Sequence, residues 1–288
     1  MSSYEAPAKL NLSLLVSPPR PDGYHPVESM VQTIEWCDRL DADPGEGEDV
    51  LEVAGDVEAE GNLVLRAMRT LRDTVAVPPL ALYLTKSIPV AAGLGGGSSD
   101  AAAALRAGAD QMSVSDDELQ AVASRVGADV PLFLVGGSLL MTGVGERLER
   151  LRPLEGFAFA VAVPDFGLVT ADVYRRWDEL EGPEGPAVSI DRIPPALRDQ
   201  MPMRNDLTPA ALDLEPRLGD FMADVAKAWG TTVSLTGSGS ACFGYFPSLD
   251  EAEDAAVAVD ALATAARGVG LRGHGVRRLD DLLDREVR

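Results

Sequence analysis

The segment that decides the fold runs from Ile88 to Leu105 and reads IPVAAGLGGGSSDAAAAL. The alternating segment Leu80–Thr85 before it predicts a strand, and the alanine run after Asp100 has high helix propensity. Ser98 and Ser99, with Asp100, suit the N-cap region of that helix. Glycines let backbone N–H groups approach an anion without obstruction by Cβ, and a helix start favours negative charge. The strand–loop–helix order therefore favours a phosphate-binding loop over a flexible turn.

Two common phosphate motifs do not fit this loop. The Walker pattern needs Lys and then Ser or Thr after its last glycine, whereas Gly97 is followed by Ser98 and Ser99. The dinucleotide pattern G-x-G-x-x-G, started at Gly93, needs a glycine at position 98. If the loop binds phosphate, it therefore does so with a different motif from these two.

The composition limits the partners of the chain. Its 288 residues are 46% hydrophobic and carry a formal net charge of -21, which argues against a nucleic-acid partner and favours solubility or salt adaptation over an acidic interaction surface. No apolar run reaches the length of a membrane span, and the N-terminus lacks the basic region of a signal peptide. We therefore expect a cytoplasmic protein in which Cys37 and Cys242 are free thiols, with a disulfide as the less favoured alternative.

Periodicity predicts an α+β protein, because strands and helices mix without regular βαβα alternation. The acidic stretch Asp41–Asp49 reads as an exposed loop or hairpin. Predicted strands are Lys9–Val16, Val27–Trp36, Leu80–Thr85, Phe157–Val163, two within Thr232–Phe246, and Val276–Leu279. Predicted helices are Asn62–Thr74, Ser115–Val126 with a capping box, one within Arg204–Leu218, and Glu251–Arg267.

Polar residues in apolar surroundings are the next candidates for a site. Lys9 and Asn11 share one side of a predicted strand, which is either a solvated face or a functional one. Asp129 suits either an N-cap or a general base for a substrate hydroxyl. Lys9, if it lies close by, would keep that carboxylate ionised and stabilise transferred phosphoryl charge. The chain has only three lysines, so Lys9 and Lys86 stand out against an arginine background.

The loop before the second predicted strand contains an aromatic side chain and a histidine side by side. Tyr24 is able to stack on a nucleobase, and His25 is able to bond a base edge. The alternative is a surface turn that contains a packed tyrosine.

Taken together, these motifs resemble those of the GHMP kinases, in the same order along nearly the whole chain. RPDGYH and GADVP resemble the branch of that family that acts on a cytidyl-diphospho sugar alcohol. The matching segments are APAKLNL (Ala6–Leu12), RPDGYH (Arg20–His25), IPVAAGLGGGSSDAAAAL (Ile88–Leu105), GADVPLFL (Gly127–Leu134), RNDLTP (Arg204–Pro209) and LTGSGSACFGYF (Leu235–Phe246).

The resemblance implies a two-domain α+β fold with ATP and substrate in the cleft between the domains. Residues 1–152 would form an N-terminal domain with a left-handed βαβ unit and the ATP phosphate loop, and residues 153–288 a ferredoxin-like domain. It also implies transfer of the ATP γ-phosphate to the 2-hydroxyl of 4-diphosphocytidyl-2-C-methyl-D-erythritol, in non-mevalonate isoprenoid precursor synthesis. The expected partners are these small molecules, with no nucleic acid and no membrane, and the expected state is a monomer or homodimer.

By motif, the resemblance also assigns roles to single residues. Asp129 would be the general base and Lys9 its partner. Substrate binding would fall to Asn11, Tyr24, His25 and Tyr174. ATP would be bound by Asn62, Lys86, Gly93, Leu94, Gly95, Gly96, Gly97, Ser98, Ser99, Gly237 and Gly239. No carboxylate stands out as a magnesium ligand, so we expect Mg²⁺ to be held mainly by phosphates and water.

Two other functions fit parts of the sequence. One is a GHMP kinase for a small alcohol such as homoserine, for which the Tyr24–His25 pair has no obvious use. The other is a non-catalytic GHMP-fold protein that binds a nucleotide or regulator. Loss of Lys9 or Asp129 would favour that second alternative, and both residues are present.

Overall fold

The computed structural model describes residues 1–54, 61–112, 114–198 and 201–279, which form two sheets with helices packed on them. The strands are β1 (Ser2–Asn11), β2 (Leu15–Val16), β3 (Val27–Pro44), β4 (Val50–Ala54), β5 (Leu80–Thr85), β6 (Ser138–Gly143), β7 (Arg147–Arg150), β8 (Ala158–Val163), β9 (Ser234–Leu235), β10 (Cys242–Phe246), β11 (Ala265–Val269) and β12 (Arg277–Arg278). The helices are α1 (Leu63–Arg72), α2 (Gly96–Ala109), α3 (Asp116–Val126), α4 (Val130–Val135), α5 (Thr170–Glu179), α6 (Thr208–Leu214), α7 (Arg217–Trp229) and α8 (Leu249–Ala258).

The first sheet is built around the long strand β3. Its main path runs β12-β1-β3-β5-β4, while β2 and β6 also pair with β3, and β7 pairs with β6. The predicted exposed loop at 41–49 is wrong in its first part, because β3 continues to Pro44. Asp41 is only 8% exposed within β3 and accepts a hydrogen bond from Arg39 at 2.9 Å. The arginine charge compensates the buried carboxylate. The predicted strand at 9–16 is also shifted: β1 ends at Asn11, and β2 begins at Leu15.

A parallel pair of strands joined through a helix lies at the edge of the first sheet. β4 and β5 pair in parallel, and α1 connects them. The predicted helix at 62–74 is confirmed, with the Asn62 side chain accepting from Val64 N at 3.0 Å as its N-cap. Its buried face packs on α2. This is the βαβ unit of the first domain.

The alanine-rich helix α2 forms the centre of the first core. It begins at Gly96, two residues before the predicted cap at Ser98, because Gly95 takes the N-cap position with φ of 75°. That left-handed conformation favours glycine, so the backbone rather than a side chain sets the start of the helix. Ala101–Ala104 are fully buried, and the small side chains let α2 pack closely on β1 and α1.

The second sheet has the strand order β11-β8-β10-β9, all antiparallel. Numbered within the sheet this order is 4-1-3-2, with helices after its first and third strands, which is the ferredoxin-like arrangement. The expected α+β fold with a ferredoxin-like second half is thereby confirmed.

Two helices of this half differ from the prediction. The segment 204–218 contains the whole of α6 and the start of α7, with Pro216 at the N-cap of α7. Proline has no N–H to donate, so α6 cannot continue through it. The helix predicted over 251–267 ends at Ala258, because Ala265–Val269 pairs with β8 instead. Tertiary pairing overrides the helix propensity of alanine there.

The end of the described chain returns to the first sheet. β12 pairs with β1, and the segment before it crosses the end of α4, where Val276 N donates to Phe133 O at 2.7 Å. A Cβ on Gly275 would lie 1.9 Å from Phe133 O, so this crossing requires glycine. It fixes the short helix that follows Asp129. Among the described residues, no helix is long and apolar enough to cross a membrane.

We expect Gly275→Ala to lower the free energy of unfolding by about 2 kcal/mol or more, because the methyl group overlaps backbone that cannot move freely. Gly273→Ala is the matched control, since a Cβ at Gly273 meets nothing within 4 Å. Urea unfolding of both variants beside the wild type measures the difference. Equal stability of the two variants would show that the crossing tolerates a side chain.

Candidate active site

A cleft of about 940 Å³ is lined by residues from both halves of the chain. β1, the glycine loop and Asp129 line it from the first half, and α5 and the glycine turn at 237–238 line it from the second. Most of the sequence-predicted site residues lie here: Lys9, Asn11, Tyr24, His25, Asn62, Lys86, Gly93, Leu94, Gly95, Gly96, Gly97, Ser98, Asp129, Tyr174 and Gly237.

Ser99 and Gly239 lie behind the wall of the cleft. The Ser99 side chain is fully buried, and its Oγ has no hydrogen-bond partner in the part of the chain that the structure describes. A Cβ on Gly239 would point at Leu168 and Leu235 at 3.1 and 3.2 Å. Gly239 N donates to Thr236 O at 3.0 Å, so this glycine shapes the turn that borders the cleft.

The glycine loop (Gly93–Gly97) and the late glycine turn (Thr236–Gly239) are in backbone contact. Gly93 has a φ of 76°, and a Cβ there would lie 2.4 Å from Thr236 O and 2.9 Å from Gly239 O. Ala241 N donates to Ala92 O at 3.0 Å beside this contact. The loop then enters α2, whose first N–H groups have no partner within the helix and favour an anion.

Lys9 lies at the meeting point of β1 and the two glycine segments. Its ammonium donates to Gly93 O at 2.7 Å and to the side-chain oxygen of Asn11, and it is 3.2 Å from the position of a Cβ on Gly237. Lys9 and Asn11 are 5% and 4% exposed, so the solvated-face alternative is wrong. Burial lowers the pKa of Lys9, and the negative charge of Asp129 opposes that shift.

Asn11 is oriented by a chain of hydrogen bonds behind it. Its amide nitrogen donates to Ser29 Oγ at 2.8 Å, and that hydroxyl donates to Ser13 O at 2.5 Å. Its backbone N–H donates to Thr236 Oγ1 at 2.9 Å, which links β1 to the second half. The amide oxygen is thereby left facing Lys9.

Asp129 occupies the N-cap position of α4, but its side chain makes no cap hydrogen bond. Its backbone is helical, with φ of -87° and ψ of -8°, whereas a capping side chain needs extended backbone to reach back. The half-buried carboxylate instead lines the cleft. Asp129 therefore stands at the N-cap position, as the first alternative predicted, but its side chain does not cap the helix. The carboxylate stays available to a bound substrate.

A buried cluster of two carboxylates and one ammonium supports the start of α2. Lys86 donates to Asp100 at 2.6 Å and to Asp38, whose other oxygen accepts from Ser87 N and Ile88 N at 2.5 and 2.8 Å. Burial works against the charge of Lys86, but Asp100 and Asp38 outweigh it and raise the Lys86 pKa. Burial raises the pKa of Asp100 to about 7, with Lys86 opposing the shift and Asp38 adding to it.

The sequence pattern missed several residues that line this cleft and one, Asp38, that lies buried behind it. Asp100 lies within the glycine-loop motif, so its position was a usable signal, whereas Asp38 is 48 residues from Lys86 and has no local signature. Thr170 and Ser238, whose hydroxyl oxygens are 2.9 Å apart, and Asp178 also line the cleft.

The other end of the cleft is aromatic. The His25 ring lies 5.1 Å from the Tyr174 ring and 5.5 Å, edge to face, from the Trp177 ring. Tyr24 is 65% exposed at the mouth of the cleft. Asn62, which was predicted at the adenosine, lies on the lining with its side-chain oxygen engaged as the α1 cap.

Comparison with known proteins first defines the class. Residues 62–137 match the family described as GHMP kinases N terminal domain. A homoserine kinase from Cytophaga hutchinsonii has the same fold, with a TM-score of 0.69 at 16% identity over 96% of this chain and 97% of its own. The fold is therefore that of the GHMP kinases.

More similar relatives define the branch. The 4-diphosphocytidyl-2-C-methyl-D-erythritol kinase of Granulibacter bethesdensis is 38% identical over 97% of this chain and 96% of its own, and that of Rhizobium johnstonii is 38% identical over 88% of both. A crystal structure of 4-(cytidine 5'-diphospho)-2C-methyl-D-erythritol kinase superposes with a TM-score of 0.77 at 35% identity, over 94% of this chain and 99% of that one. The chain belongs to the 4-diphosphocytidyl-2-C-methyl-D-erythritol kinase family.

The Asp38–Lys86–Asp100 cluster predicts a pH dependence of stability. The pKa of Asp100 is raised to about 7 in the folded protein, against about 4 in the unfolded chain. The contribution of Asp100 to the free energy of unfolding is therefore full below about pH 4 and is lost as the pH rises through about 7. The wild type should therefore lose stability relative to Asp100→Asn between pH 5 and 8, by about 1 kcal/mol per pH unit at the steepest. Urea unfolding across this range measures it, and a constant difference between the two proteins would contradict the assignment.

Proposed function

We propose that the chain transfers the γ-phosphoryl group of ATP to the 2-hydroxyl of 4-diphosphocytidyl-2-C-methyl-D-erythritol, in non-mevalonate isoprenoid precursor synthesis. The observation that carries this proposal is the placement of Lys9. Its buried ammonium lies between the glycine loop, Asn11 and the late glycine turn. The same cleft contains the carboxylate of Asp129, which does not cap its helix. Membership of the family supports the choice of substrate.

The chemical step follows from the two charged groups. Asp129 accepts the proton of the substrate 2-hydroxyl as that oxygen forms a bond to the γ-phosphorus. The bond from the γ-phosphorus to the β–γ bridging oxygen breaks, and ADP leaves. Lys9, held in place by Gly93 O and Asn11, stabilises the negative charge on the transferring group. Asn11 positions the hydroxyl beside them.

The glycine loop supplies the ATP phosphate site. Gly93–Gly97 and Ser98, at the start of α2, line the cleft, so backbone N–H groups and the Ser98 hydroxyl would be the donors to the phosphates. Lys86 and Asn62 lie at the same end, which suits the adenosine side. The aromatic end, with Tyr24, His25 and Tyr174, suits the cytosine.

The residues present fit a magnesium ion that is held mainly through ATP phosphates and water. Among the described residues, no three His, Cys, Asp or Glu side chains gather to cage a metal, while the Ser98 hydroxyl and the Asp129 carboxylate line the cleft beside the loop. When bound, the ion would neutralise phosphate charge.

We further propose a domain division after residue 152, in the segment that joins β7 to β8. The second domain would run to 288, of which 280–288 lie outside the described residues, and its last described strand, β12, would return to pair with β1 of the first sheet. We propose that the protein acts in the cytoplasm as a monomer or homodimer, on small molecules and without nucleic acid.

ADP release tests the function. Purified protein is assayed with ATP, magnesium and the cytidyl substrate, with homoserine and mevalonate in parallel. The proposal expects turnover with the cytidyl substrate alone. Turnover only with another alcohol would retain the phosphate site and reject the substrate, and absence of turnover with all three would favour a non-catalytic protein.

We expect Asp129→Asn to reduce turnover by about a hundred-fold or more, because the amide cannot accept the hydroxyl proton. ATP binding, measured by calorimetry, should change little because the glycine loop is intact. Asp117→Asn, an exposed carboxylate on α3, is the matched control and should retain wild-type turnover. Wild-type turnover in Asp129→Asn would refute the role of the base.

A further inference from the structure

Asp178 is a cleft residue to which the proposed mechanism gives no role. It lies on α5, one turn after Tyr174, and its Oδ2 is 3.3 Å from His25 Nε2. The His25 side chain is 8% exposed, packed against Tyr174 and Trp177, whereas the Asp178 side chain is 42% exposed at the cleft. The carboxylate therefore lies against the Nε2 edge of the His25 ring, beside the cleft that both residues line.

The hydrogen bonds of the His25 ring determine what this edge offers. Nδ1 lies 3.1 Å from Ser17 O, and a backbone carbonyl only accepts, so Nδ1 carries a hydrogen. In the neutral ring, Nε2 is then an acceptor, as is the carboxylate of Asp178. The Asp178 carboxylate, 3.3 Å from that nitrogen, adds a second acceptor beside it, so this end of the cleft suits a ligand that donates hydrogen bonds.

We propose that Asp178, together with His25 Nε2, recognises the exocyclic amino group of a pyrimidine and so determines the choice of cytosine over uracil. This inference rests on the proposed function, which places a cytidyl group at the aromatic end of the cleft. A cytosine amino group carries two hydrogens, so it can donate one to His25 Nε2 and the other to Asp178 once the carboxylate has turned away from the ring. Uracil has a carbonyl oxygen at that position, which would face two acceptors.

The setting of the carboxylate supports this role. An ionised carboxylate accepts hydrogen bonds and never donates them, and Asp and Glu are acceptors for the amino group of cytosine in other recognition sites. Because Asp178 is partly exposed, its side chain can turn from His25 toward a bound base without leaving a buried charge unpaired. Tyr174, one turn earlier on the same helix, packs on the His25 ring and holds the ring edge in place.

The composition of the chain provides a direct test by nuclear magnetic resonance. The sequence has two histidines, His25 and His274, so the imidazole nitrogen resonances are assigned by a single His274→Gln variant. Cytidine monophosphate and uridine monophosphate serve as probes, which need no turnover. In the wild type we expect cytidine monophosphate to move the His25 resonances at a concentration at least about ten-fold lower than uridine monophosphate, while His274 stays unchanged.

Asp178→Asn should reduce this selectivity by about ten-fold, because the asparagine amide can donate to the uracil oxygen as well as accept from cytosine. The variant should also shift the His25 nitrogen resonances in the free protein, since the neighbouring carboxylate is lost. Glu179→Gln is the matched control: it removes the adjacent carboxylate on α5, which pairs with Arg176 instead, and should leave both readouts unchanged.

In steady-state assays, Asp178→Asn should raise the KM of the cytidyl substrate by about ten-fold and leave kcat and the KM of ATP nearly unchanged, because only recognition of the base is altered. Equal binding of the two nucleotides by the wild type, or unchanged selectivity in Asp178→Asn, would overturn the inference. Selective cytidine binding without turnover of the cytidyl substrate would keep the inference and reject the proposed function.

Discussion

The backbone contact between Gly93 and the turn at Thr236–Gly239 is the constraint on which the rest of the site depends. Gly93 has a left-handed φ, and a Cβ there would lie 2.4 Å from Thr236 O, so the two chain segments meet with no side chain between them. One segment leads into α2 of the first sheet, and the other joins β9 to β10 of the second. The contact therefore sets the two halves against each other at the phosphate site, and Lys9 is held where they meet.

In the proposed function the cleft binds anionic phosphates within a protein of net charge -21, so the two lysines that line it would have separate roles. Lys86 is balanced by two carboxylates and supports the start of α2, which leaves the backbone N–H groups to contact phosphate. The Lys9 ammonium is hydrogen-bonded to neutral oxygens, so its charge is not cancelled by a direct ion pair. A compact ammonium suits this position between backbone and amide oxygens, whereas a planar guanidinium prefers partners that it can bind with two parallel hydrogen bonds. This division accounts for lysine at both positions in an arginine-rich chain.

Local signals in the sequence predicted the parts of the fold that local interactions form. The glycine loop, β5 and the capping box of α3 are where the sequence placed them, because turn, propensity and capping are decided within a few residues. The extension of β3 to Pro44 and the strand β11 depend on pairing with distant segments, which propensity does not encode. For the same reason the sequence predicted Lys9 and Asp129, which lie in motifs and line the cleft, but did not predict the contacts of Asp38 and Asp178, whose partners are 48 and 153 residues away.

The most direct test of the account is turnover of the cytidyl substrate by Lys9→Met, measured beside its thermal unfolding. Methionine fills a similar volume without the charge, so the backbone contact between Gly93 and Gly237 should persist and the protein should remain folded. The account predicts a folded variant whose turnover is about a hundred-fold or more below the wild type, because the transferring phosphoryl group loses its positive partner. A folded variant with wild-type turnover would contradict the central role given to Lys9.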